Sequence, residues 1–450
     1  MKRRVFSLVL AGWCVWAAGA APGKQPVFGY AYGIDDFPNG LRLVTVPTEH
    51  KNLVALYIVV RAGSRNEVEP GKTGYAHFFE HLMFRGSQHY TAAERDAVLK
   101  RAGAESNAYT SDDRTVYHEV FAKEDLDSVM RIEADRFERL KFSRDVFKTE
   151  SLAVLGEYNK NSADPQVKMF EVMRELAFKN HTYAHTTMGF IKDIEDFPNQ
   201  YDYSLKFFDR YYRPENATII MVGDVTRERA AELTRRYFLD WRRGKFKASI
   251  PVEPPQTGPR QSRLDWPSPT LPLVFVAFRA PAFSEKRKDK AALDLLAAHA
   301  FGENSELHQK LVLKEQKVDE LDVAFDNHID PELFGVIARA KDVKDLDYVQ
   351  TQVLATIARF GKEMIPPEQL DQTRSRLRYG FALSLDTPGA IAGALAEYVA
   401  LGRSPETLNR AYDLYEKIRP EDILAAAKRY LVESNRNIVT VVAKPGKEAK

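Results

Sequence analysis

The five residues His77-Phe78-Phe79-Glu80-His81 place two imidazoles and a carboxylate close together in the chain. In a helix, residues four apart lie on one face, so His77 and His81 could bind the same metal ion. Glu80 would stand beside that ion, where a carboxylate can accept a proton from a water that the metal activates. The spacing H-x-x-E-H therefore predicts metal-assisted hydrolysis.

A catalytic zinc site needs a third protein ligand, because it keeps one position open for water. A predicted helix over residues 143–160 offers Glu150 and Glu157, which are seven apart and fall on nearly the same face. The simpler alternative is a helix whose two histidines are four apart by chance and whose Glu80 is solvated. Two distal carboxylates on one helical face favour the metal site.

Two halves of similar layout must position these residues. In the first, the turn Asn39-Gly40 precedes predicted strands over 41–46 and 53–61, helices follow, and an apolar strand over 216–222 comes near the end. Prolines and glycines cluster between residues 251 and 259, and the same order of elements then begins again. We predict an α+β protein of two related domains, each a mostly antiparallel sheet packed with helices. Their predicted bounds are 26–245 and 265–445, with a linker at 246–264.

The N-terminus predicts export. Lys2-Arg3-Arg4 precedes an apolar run over residues 5–18 and the small residues Ala18-Gly19-Ala20, which is the pattern of a signal peptide spanning residues 1–20. The expected location is the bacterial periplasm, and an uncleaved N-terminal membrane anchor is the alternative. Cleavage would remove Cys14, the only cysteine, so that metal ligands could come only from histidines and carboxylates.

The composition is that of a globular protein, with 44% hydrophobic residues, 28% charged residues and a formal net charge of +2. Basic residues are spread among acidic ones instead of forming a patch, which argues against a nucleic-acid partner. Neither a Ser/His/Asp arrangement nor a glycine-rich phosphate loop is readable, so the metal motif remains the main chemical signal.

Together with Glu157, which lies 76 residues after His81, the motif resembles the pitrilysin/insulinase family of zinc peptidases. Two other segments carry the resemblance: residues 103–117 are similar to the family's substrate-binding strand, and residues 212–224 are similar to its closing segment. The resemblance covers about residues 28–445. The chain length is similar to the short, mitochondrial-processing-peptidase-like branch, in which one chain carries two domains.

The resemblance implies a zinc-dependent endopeptidase that hydrolyses peptides or unfolded segments and binds one Zn²⁺ per chain. It implies that His77, His81 and Glu157 are the metal ligands and that Glu80 is the general base. It also implies a further catalytic role for Glu150, which would orient or charge the surroundings of the ligands.

The same resemblance implies how substrate would bind. The peptide would add as a strand along Asn107, Ala108 and Tyr109, so that main-chain hydrogen bonds supply affinity with loose sequence preference. The side chain of Asn107 could bond the peptide backbone.

One expected feature is missing from the second half. Active family members use an arginine and a tyrosine seven residues apart to hold substrate and stabilise the oxyanion, and Val312 and Asp319 stand at the corresponding positions here. The resemblance therefore implies a heterodimer, in which this chain is the zinc subunit and a homologous partner carries the Arg/Tyr pair. The alternatives are a homodimer or monomer that uses other donors, for example Arg279 or His328, and a non-catalytic assembly or scaffold subunit that retains the metal site.

Overall fold

The computed structural model describes residues 26–444, so the predicted signal peptide and Cys14 lie outside the described residues. Within this range, none of the helices combines the length and apolar character that crossing a membrane requires.

The first half contains one six-stranded sheet. Its strands are β1 Gly33–Asp36, β2 Arg42–Pro47, β3 Leu53–Val60, β4 Glu105–Thr110, β5 Thr115–Ala122 and β6 Ala217–Gly223. Their order is β1-β2-β6-β3-β5-β4, and only the β2/β6 pair is parallel. The helices of this half are α1 Tyr75–Leu82, α2 Ala92–Arg101, α3 Leu126–Arg139, α4 Arg144–Asn161, α5 Pro165–Ala177, α6 Ile191–Asp196, α7 Tyr201–Tyr211 and α8 Arg227–Phe238.

The second half repeats this plan with five strands. They are β7 Arg260–Trp266, β8 Leu273–Arg279, β9 Val318–Ala324, β10 Leu333–Ala340 and β11 Arg436–Ala443. Their order is β7-β11-β8-β10-β9, and only the β7/β11 pair is parallel. The helices are α9 Lys288–Ala300, α10 Glu306–His308, α11 Leu346–Phe360, α12 Pro367–Leu383, α13 Pro388–Gly402, α14 Glu406–Lys417 and α15 Pro420–Tyr430, and a π-helix at Gln309–Lys314 continues α10. The predicted α+β class with two related sheets is confirmed.

Residues 241–259, all of them described, form neither helix nor strand. Strand β7 then begins at Arg260, inside the predicted linker 246–264. The domain bounds themselves stay a prediction.

Both sheets are covered on both faces, which is why their central strands are apolar at nearly every position. Alternate residues of β3 point to different clusters: Leu56 and Ile58 pack with the helices of the first half, whereas Tyr57 and Val59 pack against α13. The second sheet is covered in the same way, because α5 of the first half packs on β7, β8 and β11. Each half therefore contributes one helix that packs on the sheet of the other half.

A pair of asparagines shows that the repeat extends to single contacts. Asn216 Nδ2 donates to the carbonyl oxygens of Arg61 (3.3 Å) and Tyr211 (2.9 Å). Asn435 Nδ2 donates to the carbonyl oxygens of Arg279 (2.6 Å) and Tyr430 (2.8 Å). In both halves the asparagine ties the end of a central strand to the helix before the last strand. Sequence alone indicated only a repeat of layout.

Candidate metal centre

The motif His77–His81 lies on α1, as its spacing predicts. The buried aromatic residues Tyr75, Phe78 and Phe79 hold one side of this helix in the core. Glu67, which is 3% exposed, holds its beginning: the two carboxylate oxygens accept the backbone N–H groups of Gly74 (2.6 Å) and Ala76 (2.7 Å). These are unpaired donors of a helix N-terminus, so the side chain of Glu67 stabilises the helix that carries the motif by accepting them.

Gly74 is required where the chain enters α1. Its φ is +88°, and a Cβ added there would lie 2.5 Å from the carbonyl oxygen of Met188. A residue with a side chain would therefore have to displace both the helix start and the segment that packs on it.

Helix α4 carries Glu150 and Glu157. Ser143 caps its N-terminus by accepting the N–H of Val146, and the buried residues Phe147 and Val154 pack it on the core. The ring of Phe147 lies 5.1 Å from that of Phe78 on α1, which brings the two helices side by side. The two carboxylates therefore reach the histidines.

The donor atoms of His77, His81 and Glu157 converge, all within 4.8 Å of one another. Glu157 Oε2 lies 3.7 Å from His77 Nε2 and 3.2 Å from His81 Nε2. Two ligands of a tetrahedral zinc ion, each about 2.0–2.2 Å from the metal, are separated by about 3.3–3.6 Å. The spacing and the His₂Glu donor set both fit zinc.

The pKa values of the two histidines are shifted in opposite directions. Burial and the neighbouring His81 lower the pKa of His77 to about 4, so its imidazole is neutral and free to ligate. The pKa of His81 is instead raised, chiefly by its interaction with Glu150, whose Oε2 lies 3.8 Å from His81 Nδ1. Glu150 is buried and forms an ion pair with Arg85, whose Nε lies 2.8 Å from Glu150 Oε1. The Oε2 of Glu150 faces the ring of His81, and Glu150 is not part of the group of converging donor atoms.

Glu80 faces the same space and has a specific partner. Thr110, the last residue of β4, donates its hydroxyl to Glu80 Oε2 at 2.6 Å. Burial raises the pKa of Glu80, and the Thr110 hydrogen bond partly offsets this. A carboxylate with a raised pKa beside a metal site can accept and return a proton near neutral pH.

The expected substrate strand is the edge strand β4. Within residues 26–444, β5 is the only strand that pairs with it, so one row of its backbone groups is available to a peptide. Asn107 is exposed, but its Oδ1 accepts the N–H of Ala108 at 2.9 Å. Ala108 is buried in the core of the first half, and Tyr109 packs toward α13, so these two could offer a peptide their main chain only.

Sequence reasoning missed three residues around the site: Glu67, Arg85 and Thr110. Thr110 lay within the segment that carries the family resemblance, but nothing in the sequence paired it with Glu80. Arg85 lies four residues after His81, and this spacing, which places the two near each other, was the only local signal for Arg85. Its contact with Glu150 is seen only in the structure.

The two positions that lack the expected Arg/Tyr pair, and the two residues weighed as alternative oxyanion donors, all contact other parts of the protein. Val312 packs against the core of the second half, and Asp319 pairs with Arg339 at 3.0 Å. Arg279 donates to Pro254 O at 2.5 Å, and His328 lies against the carboxylates of Asp112 and Asp113.

Comparisons with known proteins match most of the chain to one peptidase family. The family model of insulinase (peptidase family M16) matches residues 42–190, and that of the peptidase M16 inactive domain matches residues 200–377. The zinc protease PqqE of Helicobacter pylori is 29% identical over 417 residues, which cover 90% of this chain and 91% of that protein. The mitochondrial-processing peptidase subunit beta of Saccharomyces cerevisiae is 23% identical over 404 residues, 86% of each chain.

Two solved structures have the same fold. A protease from Helicobacter pylori superposes with a TM-score of 0.85 at 27% identity, covering 92% of this chain and all of that one. The first half of the periplasmic protease PqqL from Escherichia coli gives a TM-score of 0.74 at 20% identity, covering 91% of this chain and 92% of that one.

Proposed function

This chain belongs to the insulinase family (peptidase family M16), and we propose that it is a zinc-dependent endopeptidase that hydrolyses peptides or unfolded segments. One observation carries the proposal: the donor atoms of His77, His81 and Glu157 converge beside Glu80, a carboxylate held by its own hydrogen-bond donor. Among its relatives, the Helicobacter pylori protein is named a zinc protease.

His77, His81 and Glu157 would hold the zinc. When bound, zinc supplies a Lewis acid that polarises the scissile carbonyl and makes water a better nucleophile. Glu80 accepts the proton of the attacking water and passes it to the leaving amine. Glu150 orients His81.

Substrate positioning falls to β4. An extended peptide added along its free edge would lie beside Thr110, and hence beside Glu80, because Thr110 ends that strand. The hydrogen bonds would be to backbone groups, which fits a peptidase with loose sequence preference.

The substitution Glu80→Gln tests the role of the general base. We expect one zinc per chain in both proteins and a loss of at least about 100-fold in kcat in the variant. Glu228→Gln on α8 is a matched control for the loss of one carboxylate, and its activity should equal that of the wild type. Wild-type activity in Glu80→Gln would refute the mechanism, and wild-type protein without zinc would refute the metal site.

We also propose that the working enzyme is a heterodimer with a homologous subunit that supplies the arginine and tyrosine absent here. In support, Asp319 is paired with Arg339 and Val312 is apolar, so neither can donate to an oxyanion. The purified chain should cleave an unfolded peptide far more slowly alone than with that partner. Full activity alone would favour a monomer or homodimer, and zinc binding without cleavage even with the partner would favour a scaffold subunit.

The signal-like N-terminus supports export, and a structural relative is described as a periplasmic protease. We propose a periplasmic location, with cleavage after Ala20. Cell fractionation and N-terminal sequencing of the mature protein test it, and a cytoplasmic product that retains Met1 would contradict it.

A further inference from the structure

The two halves meet where two equivalent hairpins end. In the first half, residues 111–114 connect β4 to β5; in the second, residues 325–332 connect β9 to β10. The β9–β10 connection lies against the β4–β5 turn, since the backbone N–H of Ile329 donates to Asp113 Oδ2 at 2.9 Å. The second half thus contacts the hairpin that contains the proposed substrate strand.

Two buried carboxylates of the β4–β5 turn, Asp112 and Asp113, bind it to its surroundings by hydrogen bonds and ion pairs. Asp112 accepts the hydroxyl of Ser64 (2.6 Å) and the guanidinium of Arg174 (2.6 and 3.1 Å), both from the first half. Asp113 accepts the hydroxyl of Tyr183 at 2.8 Å. Asp113 is 3% exposed, and the guanidinium of Arg65, also from the first half, lies 3.8 Å from its Oδ1.

His328 supplies the matching charge from the second half. Its Nδ1 lies 3.4 Å from Asp113 Oδ2 and 3.7 Å from Asp112 Oδ2, and its ring packs edge-on against Tyr183. Burial would lower the pKa of His328, but Asp113, Glu332 and Asp112 more than offset this and raise it to about 9. The imidazole is therefore positively charged at neutral pH.

This contact bears on the site because the turn directly follows Thr110. The hydroxyl of Thr110 holds Glu80, and within residues 26–444 no strand other than β5 supports β4. A shift of the turn would therefore move both the free edge of β4 and the partner of the general base.

We propose that His328 is a positioning residue, which holds the substrate-binding β4–β5 hairpin in place through Asp113. The second half thereby contributes to the site built on the first. Only the expected effect on KM rests on the proposed peptidase function. The contact between His328 and the hairpin is a property of the fold.

The test is His328→Gln, which keeps a polar side chain but removes the charge. Hydrogen exchange of the amides of residues 105–114 should be roughly tenfold faster, as expected for the loss of one contact between charged groups. KM for a long peptide, which can pair along β4, should rise roughly tenfold, whereas KM for a short peptide and the zinc content should change less than about twofold. His299→Gln on α9, remote from the hairpin, is the matched control and should match the wild type.

A second variant, Asp113→Asn, is included so that the test does not rest on His328→Gln alone. If the two residues act as a unit, the double variant should be no worse than the worse single variant, whereas additive effects would overturn the proposal. Unchanged exchange at residues 105–114 in a folded His328→Gln protein would overturn it as well. If the wild type cleaves no peptide even with its partner subunit, the peptidase proposal fails, and the exchange measurement still decides the role of His328.

Discussion

Replacing Thr110 by valine removes one hydroxyl and little else, because the two side chains have nearly the same shape. The hydroxyl donates to Glu80 Oε2 at 2.6 Å, a short bond to a group that must be ionised to act as a base. A hydrogen bond to a charged group contributes about 1.5–3 kcal/mol, and 1.4 kcal/mol is about a factor of ten. We therefore expect kcat of Thr110→Val to fall by about 10- to 100-fold at pH values where Glu80 of the variant is largely protonated.

The pH dependence has a defined direction. The hydroxyl stabilises the carboxylate and so lowers the pKa of Glu80; without it that pKa rises, and the acidic limb of the kcat/KM profile should move to higher pH. Zinc content should not change, because Thr110 is not among the donor groups.

The assay is a quenched fluorescent peptide, followed from pH 5 to pH 9 for the wild type, Thr110→Val and Thr110→Ser. The serine variant restores the hydroxyl and should recover most of the activity. Equal kcat and an unmoved acidic limb in Thr110→Val would refute the assigned contact, and so would a serine variant as slow as the valine variant.

Three further outcomes follow from the charges described here or buried nearby. Because the pKa of His81 lies above its ordinary value, protons should compete with zinc, and the apparent zinc Kd should rise as the pH falls in a chelator competition; a flat profile would contradict this. Arg136 is 1% exposed and its guanidinium lies 3.1 Å from Glu119, so Arg136→Ala should lower the free energy of unfolding by about 3–5 kcal/mol in a urea titration; a loss below about 1 kcal/mol would count against this buried ion pair. The pKa of His328 is raised to about 9 in the folded protein, from about 6.5 in the unfolded chain. The charged imidazole should therefore stabilise the folded state fully below about pH 6.5, and this contribution should be lost as the pH rises through 9. Thermal melts of His328→Gln should lack this loss of stability at alkaline pH.

Which of the proposed metal ligands share a helical face could be predicted, because that geometry is local, whereas the choice of Glu157 as the third ligand came from the family resemblance. His77 and His81 are one helical turn apart, and the seven-residue spacing of Glu150 and Glu157 repeats one helical face, so helix periodicity alone aligned each pair. The partner of Glu80 could not be predicted in this way. Thr110 lies 30 residues away on a strand, and no spacing rule connects a helix to the strand that happens to end beside it.

The fold class could be predicted from turn signals and from two runs of similar elements. The exchange of helices, in which α13 packs on the first sheet and α5 on the second, could not be predicted. The apolar residues of α13 show that the helix is buried, and α5 likewise has a buried face. Periodicity identifies a buried face without identifying what covers it. Only the three-dimensional structure shows that each helix lies on the sheet of the other half.

That exchange has a consequence for how the chain unfolds. Without the second half, α13 would no longer cover β3 and β6, and without the first half, α5 would no longer cover β11. In each case an apolar face of the remaining sheet would be exposed to water. Neither half is then an independent folding unit, and the chain should melt in a single cooperative transition despite its two sheets. A protease cut within residues 251–259 should leave two fragments that stay associated under native conditions and separate only in denaturant.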